Sequence, residues 1–355
     1  MMVGSTAAGS SAEEERSSDP GRAGDDRVQD PTHPLDDAAE LGIDGLSQVA
    51  VVGSGGSSTV YRARQDALDR TVAVKVVHAA WSMEIRERFD REREVTGHLS
   101  GHAAIVPIFE TGITRRGEPY LLMPFYERGS LFTLMRDRGP LPWREATFLV
   151  EALAATVADC HADGIVHRDV KPGNVMLSRH AGPRLADFGI TLPDGTTTDA
   201  AAVAYTPSYS PPEAFGAGVV GTAQDVYALG ATLWTLLAGR PPHTEQGQPV
   251  DQQDVLARAG QGPPASPAAG TPVPVLDVIN RSMAPEPTNR PADGAAFAAE
   301  LRRAIRRSDE AETTAPGRVT GGEGGNHRLT TAILAGLVAA GVLLIAGGLG
   351  WLVLA

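Results

Sequence analysis

Short runs of β-branched and aromatic residues, separated by turn residues, dominate the chain between positions 47 and 125. Runs of this kind are typical of β-strands. One stretch among them, residues 82–99, is charged and amphipathic, which predicts a helix. We therefore expect a small β-rich part with one inserted helix. The predicted strands are SQVAVVG (47–53), STVYRARQ (58–65), RTVAVKVV (70–77) and EPYLLMPF (118–125).

From residue 142 onward, apolar residues recur mostly at helical spacing. Residues 143–164 predict an amphipathic helix that ends at Gly164. Residues 225–239, DVYALGATLWTLLAG, are apolar on nearly all sides and predict a buried helix. Residues 240–274 are rich in Pro, Gly and Gln, which indicates a long surface connection. Strands followed by helices predict an α+β protein.

The two ends of the chain differ from the region between them. Residues 1–45 are acidic, rich in Ser, Gly and Pro, and poor in large apolar residues, which predicts a disordered segment. This segment lacks a basic region followed by an apolar run, so it does not resemble a secretory signal. Residues 307–330 indicate a juxtamembrane linker.

A transmembrane helix is predicted over residues 331–354. Residues 332–354 contain no charged side chain, and these 23 residues exceed the ~20 needed to cross a bilayer. Arginines lie on the N-terminal side only, so the positive-inside rule places the preceding part of the chain in the cytoplasm. Small residues four apart allow two such helices to approach closely, which leaves a homodimer open.

Composition excludes some classes of function. The formal net charge of −12 argues against general nucleic-acid binding. Cys160 is the only cysteine, so no intramolecular disulfide can form, as suits a reducing compartment. We expect Cys160 to be a small packed side chain rather than a reactive thiol.

Residues 164–177, GIVHRDVKPGNVML, place five polar side chains within eight positions between two apolar runs. Pro172 and Gly173 at the centre disfavour a helix or a strand, so the segment is predicted to be a loop. The spacing favours a loop that holds one carboxylate near a hydroxyl group and one amide near a metal ion.

A glycine-rich segment, VVGSGGSSTVY at 51–61, lies between two predicted strands. Its backbone N–H groups could face phosphates, although a plain hairpin turn explains the segment equally well. Lys75 follows 22 positions after Gly53 and shares a strand face with Ala73, from where it could reach phosphate oxygens. A solvated strand lysine is the alternative. A buried lysine needs a counter-charge, for which the next helix offers Glu92 or Glu94.

Asp187-Phe188-Gly189 completes the pattern. The glycine loop, VAVK, HRDxKxxN, DFG, a PPE segment and a DxYALG helix occur in order over residues 47–306. Together they resemble bacterial, membrane-anchored Ser/Thr protein kinases of the eukaryotic-like protein kinase superfamily. This resemblance implies a two-lobed protein kinase fold over residues 46–306, with a small β-rich N-lobe and a larger helical C-lobe. It also implies ATP and Mg²⁺ as cofactors, with Mn²⁺ possible.

The resemblance also implies roles for individual residues. Asp169 would accept the proton of the substrate hydroxyl group, and Lys171 would lie beside the γ-phosphate. Asn174 and Asp187 would hold two Mg²⁺ ions. Lys75, paired with Glu92 or alternatively Glu94, would bind the α- and β-phosphates. The implied nucleotide-binding residues are Val52, Gly53, Ser54, Gly55, Gly56, Val60, Ala73, Lys75, Glu92, Met123 and Tyr126.

Two positions depart from the family pattern. Pro124 follows the expected gatekeeper Met123, where relatives usually carry Glu. Because the adenine needs only a carbonyl from this residue, the missing N–H of proline costs no bond. Ser58 replaces the third glycine of the loop and restricts its backbone.

The activation segment is expected between Asp187 and Glu213. Arg168 precedes the predicted catalytic aspartate, and in kinases with this arginine its usual partner is a phosphate on the activation loop. The candidate phosphorylation sites are Thr196, Thr197 and Thr198, although these threonines could also form a plain polar loop. Thr206 resembles the threonine that hydrogen-bonds to the catalytic aspartate and lysine.

The predicted function is that of a non-specific Ser/Thr protein kinase, attached to the inner face of the cell membrane. It would transfer the γ-phosphate of ATP to protein Ser/Thr hydroxyl groups and autophosphorylate its activation loop. The alternatives are a pseudokinase scaffold that binds nucleotide at the membrane, and a small-molecule phosphotransferase. Expected partners are protein substrates and, by analogy, FHA-type phosphothreonine readers.

Overall fold

A computed structural model describes the chain from Leu41 to Thr314, with gaps. The predicted transmembrane helix (331–354) lies outside the described residues, as do the first 40 positions of the predicted disordered segment. Among the helices of the described part, none is long and apolar enough to span a membrane. The described residues are 41–54, 58–78, 90, 94–95, 97, 99–179, 182–188, 192–193, 197–198, 206–215, 218–219, 221–245 and 251–314.

A five-stranded antiparallel sheet forms the first part of the described chain, with strand order β1-β2-β3-β5-β4. The four strands predicted from the sequence are β1, β2, β3 and β5; the ends of β2 and β3 match the prediction, and those of β1 and β5 differ from it by one residue. The pattern did not predict β4, because its four residues include a glycine and are mostly polar. The strands are β1 (Leu46–Ser54), β2 (Ser58–Gln65), β3 (Arg70–Val77), β4 (Glu110–Ile113) and β5 (Pro119–Pro124).

The two faces of this sheet have different environments. Val72, Val74 and Val76 of β3 are fully buried in an apolar cluster that also contains Leu122. Leu41, the first described residue, is buried in the same cluster, although it falls within the segment predicted to be disordered. Burial of each valine contributes roughly 1.5–3 kcal/mol. Alternation along β3 then directs Ala73 and Lys75 to the opposite face.

Six short strands follow and form three two-stranded ladders. They pair as β6 with β9, β7 with β8, and β10 with β11. The second ladder joins the segment after Asn174 to the segment before Asp187. The strands are β6 (Ile165–Val166), β7 (Val175–Leu177), β8 (Pro183–Leu185), β9 (Leu192–Pro193), β10 (Thr197–Thr198) and β11 (Gly218–Val219).

Six α-helices have described bounds, and the two strongest predictions are confirmed in α2 and α3. In α3, every residue from Gln224 to Leu237 is buried. The helix ends at Gly239, whose φ of 73° suits a residue without a Cβ atom. The helices are α1 (Leu131–Arg138), α2 (Trp143–Ala162), α3 (Ala223–Ala238), α4 (Gln252–Ala259), α5 (Val273–Ser282) and α6 (Gly294–Thr314).

Two segments expected to be irregular contain helix. Helix α4 lies within the predicted surface connection 240–274, capped by Asp251, whose side chain accepts from the N–H groups of Gln253 and Asp254. Its buried residues are only Val255 and Ala259, one turn apart, so the surrounding Pro and Gly hid the pattern. Helix α6 continues to Thr314 and includes the start of the predicted linker.

The chain forms two compact units. One unit contains the five-stranded sheet, the short strands, α1 and all the described residues of the predicted site. The other contains most of α2 and all of α3 to α6. A β-rich part and a helical part are therefore both present, as the α+β prediction requires.

Candidate active site

One face of the sheet gathers several predicted nucleotide-binding residues. Val60 of β2 lies opposite Lys75 of β3, and Ala73 lies opposite Met123 of β5. Residues opposite each other in antiparallel strands share a face, as do residues two apart. These four side chains therefore lie on one face, away from the apolar cluster. Val52 lies at a register shift of β1 and is 49% exposed.

The strands that flank the glycine loop are joined by side-chain hydrogen bonds. Ser54 Oγ lies 3.1 Å from Thr59 Oγ1, which lies 2.6 Å from His78 Nε2. His78 Nδ1 lies 2.9 Å from Glu118 Oε1. Since a carboxylate only accepts, Nδ1 is the donor in that bond. The chain of bonds connects β1 and β2 to the segments around β3 and β5. Gly53 lies opposite Val60, while Gly55, Gly56 and Glu92 lie outside the described residues.

Tyr126, the predicted hinge residue in the segment after β5, is half-buried. Burial raises the pKa of Tyr126, and the charge of Arg184 partly offsets this effect. Arg184 Nη1 also donates to the carbonyl of Ile105 at 3.4 Å. Ser130 then caps α1 by accepting from Thr133 N–H. The interaction of Tyr126 with Arg184 and the cap at Ser130 thus restrain this segment.

Lys75 and Asp187 form an ion pair between the sheet and the DFG segment. Lys75 Nζ donates to Asp187 Oδ1 at 2.7 Å, with side-chain exposures of 15% and 37%. Burial alone would raise the pKa of Asp187, but Lys75, with smaller effects from Lys171 and His167, lowers it below its usual value. The carboxylate is therefore held ionised. Glu94, the alternative partner of Lys75, has an exposed side chain.

Asp169 is the centre of a polar cluster. Its Oδ2 accepts from Lys171 Nζ at 2.6 Å, and its Oδ1 accepts from Thr206 Oγ1 at 2.9 Å. Lys171 Nζ also donates to Thr206 Oγ1 at 2.7 Å. These three side chains form a closed triangle, and the contacts of Thr206 are those that the resemblance implies. The carboxylate is thus fixed in orientation by donors on both oxygens.

Asn174 connects this cluster to the DFG segment. Its Nδ2 donates to the Asp169 carbonyl at 2.9 Å and to Asp169 Oδ2 at 2.8 Å. Its backbone carbonyl accepts from Ala186 N–H at 2.9 Å. Because the amide nitrogen faces Asp169, the amide oxygen is directed away from that carboxylate. The loop therefore supplies an amide oxygen of the kind that ligates metal ions, and its backbone is bonded to Ala186, the residue that precedes Asp187.

His167 stabilises the site through contacts that were not predicted from the sequence. The ring is fully buried and lies edge-on to Phe188, with ring centroids 4.6 Å apart. Its Nδ1 accepts from Asp169 N–H at 3.2 Å, and its Nε2 lies 3.2 Å from the Ala186 carbonyl. Nε2 must carry the proton, since a carbonyl only accepts. The H-x-D spacing of the motif was the available signal.

Two residues of the site have a strained backbone. Arg168 and Asp187 have positive φ values of 71° and 68°, which non-glycine residues rarely adopt. Arg168 is also buried. Of the candidate phosphorylation sites, Thr197 and Thr198 form β10, which pairs with Gly218–Val219, while Thr196 lies outside the described residues.

The donor set suits a hard divalent cation that is shared with phosphates. The amide oxygen of Asn174 and the carboxylate of Asp187 are oxygen ligands of the type that Mg²⁺ prefers. In the described residues, no group of three His, Cys, Asp or Glu side chains has a metal-holding arrangement.

Lysine usage singles out the same cluster. The chain has 31 basic Lys and Arg residues, and its only lysines are Lys75 and Lys171. Both lie at the site, bound to Asp187 and Asp169 respectively. An ammonium group on a flexible stem can change partners more easily than a planar guanidinium group. Amine-directed reagents would consequently label the side chains of this site and no others.

Comparisons with known proteins agree with this geometry. The chain is 39% identical over 272 residues to the serine/threonine-protein kinase PknK of Mycobacterium tuberculosis, which covers 76% of this chain and 24% of that protein. It is 34% identical over 279 residues to the serine/threonine-protein kinase PknB of Mycobacterium leprae, covering 76% and 43%. The DNA damage-responsive serine/threonine-protein kinase RqkA of Deinococcus radiodurans is 36% identical over 284 residues, covering 77% and 41%.

The chain spans less than half the length of each of these curated relatives. The sequence profile of the protein kinase domain matches residues 46–300, which include the sheet, the Asp169 cluster and the buried helix α3. The predicted family is thereby confirmed: the chain belongs to the protein kinase domain family.

Proposed function

We propose that the chain is a Ser/Thr protein kinase that transfers the γ-phosphate of ATP to hydroxyl groups of proteins. The observation that carries this proposal is the arrangement around Asp169, whose two carboxylate oxygens accept from Lys171, Thr206 and Asn174. The names of the relatives support it, since each of them is a serine/threonine-protein kinase.

In the transfer step, Asp169 orients the substrate hydroxyl group and accepts its proton as the oxygen attacks the γ-phosphorus. One P–O bond forms to the substrate oxygen, the bond to the β-phosphate oxygen breaks, and ADP leaves. Lys171 Nζ, already 2.6 Å from Asp169 Oδ2, offsets negative charge on the phosphoryl group. A lysine at this position follows the Ser/Thr pattern within the resemblance.

Lys75, Asn174 and Asp187 hold the triphosphate in this proposal. Lys75 and Asp187 neutralise each other across 2.7 Å, so each is charged and positioned before a nucleotide arrives. Lys75 would exchange its carboxylate partner for the α- and β-phosphates. Asn174 and Asp187 would ligate Mg²⁺, or Mn²⁺, which neutralises the phosphate charge when bound.

The adenosine would lie against the sheet face that carries Val60, Ala73 and Met123, with the backbone of Tyr126 as its hinge contact. Val52, Gly53, Ser54, Gly55 and Gly56 would cover the phosphates, and Glu92 would support Lys75. These assignments rest on the resemblance and, for the described residues, on the shared sheet face.

Phosphate transfer from radiolabelled ATP to the chain itself or to a basic protein substrate tests this proposal. The native chain is expected to incorporate label, and Asp169→Asn should lose it by a factor of 10² to 10⁴. Nucleotide binding without transfer in both proteins would instead support the pseudokinase scaffold. Transfer only to small molecules would support the other phosphotransferase.

Activation-loop phosphorylation is a separate part of the proposal. A phosphate on Thr196, Thr197 or Thr198 would pair with Arg168 and order the segment. The triple alanine variant should lose most of its activity, whereas replacement of Thr313, an exposed threonine on α6, should not. Full activity of both the triple variant and Arg168→Ala would refute the proposed pairing of an activation-loop phosphate with Arg168.

Membrane attachment through residues 331–354 is also proposed, with the kinase domain in the cytoplasm. Its support is the uncharged 23-residue run, which arginines precede. The full chain should remain with the membrane fraction after an alkaline wash, and a chain that washes off would contradict the anchor. Homodimerisation and recognition by FHA-type readers are further proposals, testable by cross-linking in membranes and by phosphate-dependent capture.

A further inference from the structure

Helices α5 and α6 line an open cavity of about 240 Å³. The share of liquid volume taken by one water is ~30 Å³, so the cavity has room for a small polar group. Val278 and Ala304 form a buried apolar part of its lining. No residue that lines it belongs to the candidate active site, and all its lining residues lie on α5 and α6.

The charged side chains that line this cavity are unevenly paired. Arg281 Nη1 lies 2.9 Å from Glu300 Oε1, so this pair is internally neutral. Arg303 and Arg307 also line the cavity, and neither forms an ion pair with another residue of the described ranges. Asp277 adds one negative charge. The five charged side chains that line the cavity therefore sum to one net positive charge.

Several other charged residues of α6 form ion pairs. Arg302, one position before Arg303, lies 3.8 Å from Glu151 of α2. Further along the helix, Asp309 and Glu312 both pair with Arg144. Arg303 and Arg307 are four residues apart on one face, where like charges destabilise a helix. A bound anion would remove that repulsion.

We propose that this cavity binds the phosphodiester group of an anionic lipid headgroup. Arginine forks bind phosphate oxygens in pairs, and the single charge of a phosphodiester equals the net charge of the cavity. Helix α6 ends at Thr314, and sixteen residues separate it from residues 331–354, which are proposed to span the membrane. Even fully extended, they reach only about 60 Å. The inference thus rests on the proposed membrane anchor.

The test uses the full chain in lipid nanodiscs with a fluorophore on Asn280→Cys. Asn280 is an exposed residue of α5, and the native Cys160 is buried, so labelling is selective. Neutral phosphatidylcholine discs are compared with discs that also contain phosphatidylglycerol, both with a headgroup quencher. Arg303→Gln/Arg307→Gln is the test variant. Arg302→Gln/Arg306→Gln is its matched control, with the same charge change on the adjacent positions.

Quenching should increase with phosphatidylglycerol for the native chain and for the control variant. In the test variant the ratio of docked to undocked chain should fall about 30-fold, as expected for the loss of two membrane-facing arginines. Equal loss in both variants would show general charge attraction and overturn the site. The absence of any effect of phosphatidylglycerol on the native chain would also overturn it. Displacement by millimolar inorganic phosphate, with binding of phosphate in the absence of discs, would identify a soluble ligand instead.

The same samples distinguish a failure of the lipid site from a failure of the proposed membrane anchor or of the proposed kinase activity. Retention of the chain on neutral discs reports the membrane anchor, which does not depend on Arg303 or Arg307. Autophosphorylation in the discs reports the kinase activity. A chain that labels itself and stays on neutral discs, yet shows no dependence on the two arginines, refutes only the lipid site.

Discussion

The loop around Asp169 and the buried helix α3 are built on opposite principles. The loop places charged groups against one another and holds Arg168 and Asp187 at positive φ, which costs stability. Helix α3 buries fourteen consecutive residues, from Gln224 to Leu237, and contributes chiefly through packing. The comparison indicates that chemical positioning is concentrated in one region and the stability that supports it in another.

The packing around α3 leaves little room for change. A Cβ atom on Gly230 would lie 2.1 Å from Ser282 Oγ and 3.1 Å from Met283 Cγ of the neighbouring chain segment. The helix therefore approaches α5 as closely as its backbone permits. In the Asp169 loop, by contrast, the contacts are hydrogen bonds between flexible side chains, which can exchange partners when substrates bind.

The largest effect on stability is expected from Leu233→Ala in α3. Leu233 is fully buried, so the substitution should lower the free energy of unfolding by about 2–5 kcal/mol. The activity per folded molecule should be unchanged, as measured by denaturant unfolding beside initial rates. Leu233→Met, which conserves volume, should cost less than about 1.5 kcal/mol. A large change in rate with unchanged stability would break the comparison.

Lys75→Met should instead lower the activity far more than the stability. Loss of the ammonium group is expected to lower kcat/KM by a factor of about 10² to 10³, an effect larger than the loss of stability that follows from breaking the ion pair. The pKa of Asp187 should rise, because burial then acts without the opposing charge of Lys75. NMR titration of the Asp187 carboxyl group measures this change.

The ion pair of Lys75 with Asp187 also makes the stability of the fold depend on pH. Lys75 lowers the pKa of Asp187 in the folded chain below the usual aspartate value of 3.8. The ion pair therefore stabilises the fold at pH values above 3.8, and this stabilisation is lost on acidification. Lys75→Met should therefore reduce the difference in stability between neutral and acidic pH. An unchanged acid unfolding profile would show that the pair contributes only to chemistry.

His243 provides a pH effect outside the site. Burial, with a smaller effect from Arg258, lowers its pKa to about 4. The unfolded chain thus binds a proton near pH 6.5 that the folded chain binds only near pH 4, so stability should fall as the pH drops between these values. The full loss is ~3 kcal/mol, and His243→Gln should remove this slope in thermal melts. His161, partly exposed at the end of α2, offers the control His161→Gln, which should keep the slope.

The smallest effect is expected from the ion pairs of Arg144 with Asp309 and Glu312. All three side chains are about half exposed, so Arg144→Gln should cost at most about 1 kcal/mol, and less at high salt. Unfolding at two salt concentrations measures this cost. A loss comparable to that of Leu233→Ala would show that surface charge, rather than packing, stabilises the helical unit.

The strands β1, β2, β3 and β5 and the helices α2 and α3 were predicted because their patterns repeat within a few residues. Helix α4 was not, because two buried residues among Pro and Gly give too weak a period. The site residues Asp169, Lys171 and Asn174 were found from their order in one short motif. The brace at His167 was missed, since its contacts depend on how the loop folds back on itself.

The sequence alone determined the family, four strands of the sheet, the helices α2 and α3, and the residue types available for phosphate chemistry, because each is encoded by local spacing. Only the tertiary structure decided which of these residues meet. Lys75 and Asp187 are 112 positions apart, and Lys171 and Thr206 are 35 apart. Such pairings follow from strand register and packing, and the same is true of the approach of Arg303 and Arg307 of α6 to α5. Local composition does not specify these contacts, because they depend on the whole fold.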